Sequence, residues 1–318
     1  MRILVTGATG FAGTHLCRLL CARGHRVFGT SLSAKDRLEG VAVIPCDVRS
    51  LEQLQRAVRK ARPQQVYHLA AAASATASLT DFREVHDSNF WGTFNLLEAV
   101  RQVAPGARVL VIGSCQAYAP PRRNQLPITE NHPLQPDNPY GLSKASGDML
   151  AAYYGQRFGM DVIRARPFNH TGPGQTVAYV CSDFARQMAA IGLGLQARQI
   201  HVGNIRVRRD FSDVRDVVRA YEALMRKGRS GEAYNVCSGR ATRIADVLRI
   251  LQRRTAVRAQ VIVDRQRLRA GETPSLYGSH RKLRAHTGWS AKIPLERTLA
   301  DLLDFWRNAL QRSLRPRR

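Results

Sequence analysis

Thr6-Gly7-Ala8-Thr9-Gly10-Phe11-Ala12-Gly13 stands between two segments of different period. Before it, Arg2 to Thr6 is a short apolar run of the kind that fills a buried parallel strand. After it, Leu16, Leu19 and Leu20 fall on one side of a helix that Gly24 ends, and His25 to Thr30 reads as a second strand. Glycines between a strand and a helix inside a βαβ unit suit a dinucleotide pyrophosphate. Small residues let the backbone approach the phosphates, and the helix N-terminus supplies N–H donors and a favourable dipole. A turn held only by a glycine packing contact is the competing reading, and the agreement of spacing with context weighs against it. Gly7, Thr9, Gly10, Phe11 and Ala12 are the candidate cofactor contacts in this stretch.

Outward from it, strands and helices keep alternating, which predicts an α/β protein with a doubly wound parallel (Rossmann) sheet. Where an acid after the second strand would take the ribose 2′-hydroxyl of NAD, the chain has Thr30-Ser31, followed by Lys35 and Arg37. Hydroxyls with nearby cations suit a 2′-phosphate, so Ser31 and Arg37 favour NADP(H), with NAD(H) as the alternative; solvated loop charges are the plainer reading of the cations. Val41 to Ile44 is a third strand, after which Asp47 and Val48 stand where an adenine edge could meet the carboxylate. Ser50 can cap a helix through Ala61. Val66 to Leu69 is a fourth strand ending in the small residues Ala70 to Ala73; Leu69, Ala70 and Ala71 leave room for a ligand or, equally, for close helix packing. Asn89-Phe90-Trp91-Gly92-Thr93 opens another helix, and Arg108 to Ile112, a fifth strand, stops at Gly113-Ser114-Cys115.

Pro139-Tyr140-Gly141-Leu142-Ser143-Lys144-Ala145 puts a phenol and an ammonium four residues apart at the start of a helix that reads from Leu142 to Phe158. Residues so spaced share a helix face, and a fixed cation beside a phenol favours its anion and pulls its pKa toward neutrality. A solvated lysine on an ordinary helix face is the alternative. Because ligands of open parallel sheets lie beyond the carboxyl ends of the strands, Ser114 and Tyr140 are expected to face one crevice. There the Ser114 hydroxyl could steady a carbonyl oxygen becoming an alkoxide; otherwise it caps the next turn.

The chain has 318 residues, of which 44% are hydrophobic, enough for one large core or two moderate ones. Its formal net charge of +25 would suit an anionic partner, but the arginines are spread along the chain and no nucleic-acid motif with interleaved aromatics accompanies them. No specific nucleic-acid partner is expected. The six cysteines include no Cys-x-x-Cys pair and read as reduced packing residues. No apolar run is long enough to cross a bilayer, and Gly7, Gly10 and Gly13 interrupt the first one too early for a signal peptide. A cytoplasmic protein without metal ligands is expected.

Together, the glycine stretch, His68-Leu69-Ala70-Ala71, Ser114, Tyr140-x-x-x-Lys144 and Gly288-Trp289 resemble the extended short-chain dehydrogenase/reductase family in its nucleotide-sugar branch. The resemblance implies that Ser114, Tyr140 and Lys144 form the catalytic group. Tyr140 would be the acid/base, Lys144 would hold the nicotinamide ribose and Ser114 would orient a sugar carbonyl. Arg164 to Gln175, Tyr179 to Ala185, Arg209 to Val217 and Tyr234 to Gly239 are similar to the corresponding segments of GDP-6-deoxy-4-keto-mannose reductases, which form GDP-D-rhamnose. This implies a GDP-sugar substrate held by Ser78, Asn169, the backbone at Val180, Arg209, Arg269 and Glu272. Arg209 and Arg269 would neutralise the diphosphate and Glu272 would accept from ribose hydroxyls.

A dehydratase of the same branch needs a carboxylate two residues after the serine, and here that residue is Gln116, whose amide exchanges no proton at a useful rate. Asp183 likewise stands where the dehydratase pattern has lysine. Another sugar-nucleotide epimerase or reductase is the nearest alternative, and a nucleotide-sensing or RNA-binding relative a more distant one. The expected organisation is a dinucleotide-binding domain of residues 1–166 and 213–237 with a smaller, interleaved α/β substrate domain of 167–212 and 238–318. The family's homodimer would pair helices matching Asn89 to Val103 and Tyr140 to Phe158.

Overall fold

The computed structural model describes residues 1–72, 82–268 and 271–314. In chain order the elements are β1 (Arg2–Thr6), α1 (Phe11–Ala22), β2 (Arg26–Ser31), β3 (Val41–Pro45), α2 (Leu51–Ala61), β4 (Gln65–His68), α3 (Phe82–His86), α4 (Gly92–Val103), β5 (Arg108–Ile112), α5 (Pro139–Phe158), β6 (Val162–Pro167), β7 (Asn169–Thr171) and α6 (Val180–Gly192). There follow β8 (Gln199–Val202), β9 (Arg208–Arg209), β10 (Phe211–Asp213), α7 (Val214–Lys227), β11 (Ala233–Val236), β12 (Thr242–Arg243), α8 (Ile244–Thr255), β13 (Gln260–Val263), β14 (Ser275–Leu276), α9 (Arg281–Thr287) and α10 (Leu295–Leu314).

Seven strands form one sheet in the order β11-β6-β5-β4-β1-β2-β3, parallel throughout. Ile3, Leu4 and Val5 are wholly buried, as a strand covered by helices on both faces requires. One face carries α1 and α7, where Leu16, Leu20, Val217 and Leu224 share a core with Ile3 and Val5. The other carries α2, α4 and α5, where Leu54, Leu97 and Ala151 pack with Leu4 and Val109. The doubly wound parallel sheet expected from the alternating pattern is therefore present. The strand order reverses between β1 and β4, so the crevice beyond their carboxyl ends is the natural ligand site.

Away from this sheet lie the short pairs β7–β10 and β8–β13 and the three-stranded β12-β9-β14. A separate core joins α6, α8 and α10 through Phe184, Met188, Leu248, Leu251, Leu299 and Leu302. A small seam of Cys115, Tyr118, Ile128, Phe168, Cys237 and Leu276 lies below the Ser114 turn. Strands β2, β3 and β4 fall within one residue of their expected bounds, while α5 and the Asn89 segment differ more. Helix α5 starts at Pro139, because Asn138 Oδ1 accepts from Gly141 N at 2.8 Å and proline suits the first turn. The Asn89 segment is a π-helical turn, Asp87–Trp91, ahead of α4.

A candidate dinucleotide and sugar-nucleotide site

The glycine turn packs against the end of β4 so closely that side chains are excluded. A Cβ on Gly7, whose φ is +66°, would lie 2.9 Å from the Cα and N of Ala70, and one on Gly13 would lie 2.1 Å from the Gly7 carbonyl oxygen. The turn thus presents bare backbone to the crevice, and Gly10 caps α1 with no side chain over its free N–H groups. A chain of hydrogen bonds sets the height of Leu69 and Ala70. Ala70 N donates to Thr6 Oγ1 at 3.2 Å, Thr6 Oγ1 meets His68 Nδ1 at 2.8 Å, His68 Nε2 meets Thr93 Oγ1 at 3.1 Å, and Thr93 Oγ1 donates to the Asn89 carbonyl at 2.6 Å. Burial, with a smaller push from Lys144, lowers the His68 pKa to about 3, so the ring is a neutral spacer. Asn89 continues the chain: its amide bonds both polar backbone atoms of Ala72, and Nδ2 donates to Ser143 Oγ at 2.9 Å. Ala71 lies between these anchored neighbours, and Ala12 lies in the first turn of α1.

At the end of β2, Thr9 Oγ1 lies 3.0 Å from Ser31 Oγ and donates to Asp36 Oδ2 at 3.2 Å; Ser31 Oγ donates to the same oxygen. Arg37 folds onto its own loop, with Nη1 2.8 Å from the carbonyls of Ala34 and Asp36. Asp47 is gripped through both oxygens by Arg49, which holds its pKa below the usual carboxylate range; Val48 beside it is buried.

At the next crevice position the Tyr140 hydroxyl is hydrogen-bonded to Ser114, whose Oγ also accepts from Gln116 N at 3.1 Å. The two groups expected to meet do meet. The expected direction of the phenol's pKa is overturned. Burial, then the neighbouring Tyr179 phenol, pushes Tyr140 above its ordinary value, and the Ser114 hydrogen bond offsets part of this. Lys144 donates from Nζ to the Ile112 carbonyl at 2.6 Å. Burial lowers the Lys144 pKa to about 8, opposed by Asp148 one turn on. Asp148 accepts from Arg166 Nε and Nη2 at 2.8 and 2.7 Å and from Arg164 Nη1 at 2.9 Å, locking α5 onto β6.

The residues expected at the sugar nucleotide divide. Asn169 opens β7, and the next residue, His170, stacks on Phe11 of the glycine turn at 5.9 Å and an interplanar angle of 5°. Val180 is the first residue of α6. Arg209 Nη2 donates to Glu272 Oε1 at 2.9 Å while Nη1 donates to the Thr273 carbonyl at 2.8 Å, so these two residues form a fixed pair. Gln116 Oε1 accepts from Asn138 Nδ2 at 3.1 Å, and Asp183 Oδ2 accepts from Gln187 and Arg267 at 2.8 and 2.6 Å. Ser78 and Arg269 lie outside the described residues. Sequence reasoning overlooked Asp36, Tyr179 and Asp148. Asp36 reaches the site from a loop without a motif, whereas Tyr179 heads a segment singled out for its likeness to the reductases and stands at the N-cap of α6 beside Tyr140. Asp148, four residues after Lys144, was open to the same helix-face argument.

The family model described as GDP-mannose 4,6 dehydratase matches residues 4–302. The GDP-6-deoxy-D-mannose reductase of Pseudomonas aeruginosa is 34% identical over 310 residues, covering 98% of each chain. Among solved structures, RMD from Pseudomonas aeruginosa complexed with NADPH superposes with a TM-score of 0.87 at 33% identity, covering 97% of this chain and 100% of the other. UDP-glucose 4-epimerase of Thermus thermophilus in complex with NAD gives 0.86 at 29% identity, with the same coverage.

Proposed function

The chain belongs to the GDP-mannose 4,6-dehydratase family, and from that premise we propose that it is its ketone-reducing kind, an NAD(P)-dependent reductase forming GDP-D-rhamnose from GDP-4-keto-6-deoxy-D-mannose. The reading is supported by the relative that is 34% identical over 98% of this chain, a GDP-6-deoxy-D-mannose reductase. The observation that carries it within the site is Gln116. An amide held by Asn138 occupies the place where elimination requires a carboxylate, while Tyr140 and Ser114 keep a proton donor and a hydroxyl at the crevice.

The glycine turn fits a dinucleotide, since Gly10 caps α1 with no side chain over its free N–H groups. NADP(H) is favoured and NAD(H) is the alternative; the bound cofactor supplies the hydride that reaches C4. Gly7, Thr9, Gly10, Phe11 and Ala12 would hold the pyrophosphate side, Ser31, Arg37, Asp47 and Val48 the adenosine side, and Leu69, Ala70 and Ala71 the crevice wall. Tyr140 gives its proton to the sugar oxygen as the ketone becomes an alcohol, and its raised pKa keeps that proton in place until the oxygen turns basic. Ser114 donates to the developing alkoxide. Lys144 holds the ribose and offsets the phenolate left behind. Asn169, the Val180 backbone, Arg209 and Glu272 would bind the GDP portion, together with Ser78 and Arg269.

The proposed organisation keeps residues 1–166 and 213–237 as the dinucleotide domain and 167–212 and 238–318 as the substrate domain. It works as a homodimer through α4 with the π-helical turn before it and α5, where Trp91, Met149 and Tyr153 are exposed at 50%, 61% and 53%. A cytoplasmic location accords with six free cysteines; among the described residues no helix is long and apolar enough to cross a membrane.

The test is direct. Purified protein given NADPH and freshly generated GDP-4-keto-6-deoxymannose consumes the reduced cofactor and yields one 6-deoxyhexose product by NMR. No consumption with either NADPH or NADH would sink the reading.

A further inference from the structure

We propose that Asp36 is a specificity-determining residue that keeps the preference for NADP(H) narrow and NAD(H) admissible. This rests on the reading that a dinucleotide occupies the glycine turn. The adenosine ribose of a dinucleotide lies at the end of the second strand of such a βαβ unit. Here that place is Ser31, the last residue of β2. Two hydroxyls converge on it, Thr9 Oγ1 from the turn and Ser31 Oγ from the strand, 3.0 Å apart. Both meet one carboxylate oxygen, Asp36 Oδ2. A turn in which Asp36 N donates to the Ser33 carbonyl at 3.3 Å folds the acid back toward the strand it has just left. The acid missing from the strand end in sequence is thus restored there in space, five residues later.

The chemistry follows from charge. A carboxylate accepts a hydrogen bond from a free 2′-hydroxyl, whereas a 2′-phosphate brings about −1.5 to −2 charges against it. The hydroxyls that would serve the phosphate are turned to Asp36, and the Arg37 guanidinium is bonded to the Ala34 and Asp36 carbonyls. NADP(H) therefore enters only as Asp36 gives up Thr9 and Ser31, which taxes its affinity. NAD(H) pays no such tax and can use the acid as it stands.

The experiment measures dissociation constants of NADPH and NADH by nicotinamide fluorescence on the full chain without sugar, for the wild type, Asp36→Asn and Asp36→Glu. Asparagine keeps the shape and removes the charge, so the NADPH preference, Kd(NADH)/Kd(NADPH), rises about tenfold or more, which is about 1.4 kcal/mol. Glutamate keeps the charge and leaves the ratio below that of asparagine. If both cofactors bind and the asparagine ratio stays within about twofold of wild type, the assignment to Asp36 is wrong while the dinucleotide reading stands. If neither cofactor binds the wild type, the dinucleotide reading fails and takes this assignment with it.

Discussion

Lys144 is charged below pH about 8 and neutral above it, because burial disfavours its ammonium form. If that charge holds the nicotinamide ribose, NADPH affinity of the free protein falls as pH rises through about 8, and Lys144→Met abolishes this limb. Stability runs the other way. An unfolded lysine titrates near about 10.4, so between about 8 and 10.4 the unfolded chain binds more protons and the unfolding free energy gains with pH from this group. Denaturant titrations at two pH values in that window show this gain as a difference between wild type and Lys144→Met. Tyr140→Phe keeps the fold and lowers kcat by about 10²- to 10⁴-fold; Ser114→Ala lowers it by about 10²- to 10³-fold. The meeting of Ser114 with Tyr140 was readable because strand ends and helix periodicity are local regularities. The phenol's pKa was not. Its burial and the route of the Lys144 chain to Ile112 depend on packing contributed by distant segments.

Helix α5 joins the chemistry to the scaffold. Asn138 caps it and also holds Gln116, so Asn138→Ala removes a cap, about 1 kcal/mol in chemical denaturation, and frees the Gln116 amide. A loss of kcat beyond what Ser50→Ala gives, a cap removed from α2, would mark the second role. Asp148→Asn leaves Arg166 buried with half its partner and costs about 3 to 5 kcal/mol. Strands with an unbroken apolar run and helices with a clear stripe were readable to within a few residues, as β1, β5 and α1 show. The pairs β7–β10 and β9–β14 were not, since two or three residues carry no period and are held by partners far along the chain. The helix α6 was hidden by the polar Ser182 and Asp183 in its first turn, both of which fold inward to hydrogen bonds.

Across the molecule, the net charge of +25 contributes a diffuse attraction for any polyanion, so RNA retention at low salt disappears near physiological ionic strength if no specific site exists. Filter binding across a salt series checks this. The exposed Met149 and Tyr153 stand one helical turn apart on α5, and in the proposed dimer they are covered. Met149→Asp converts the dimer to monomers in light scattering, with little change in the melting temperature of the dilute protein. A wild type already monomeric at working concentration would end that reading. The closing helix α10 packs on α6 and α8, and Thr298 Oγ1 donates to Asp213 at 2.7 Å, a residue more than eighty positions earlier. The core of α6, α8 and α10 therefore closes only once the last helix has been made, after every strand of the seven-stranded sheet. A chain ending shortly before Leu295 would leave Phe184, Leu251 and Asp213 without the partners that this last helix supplies.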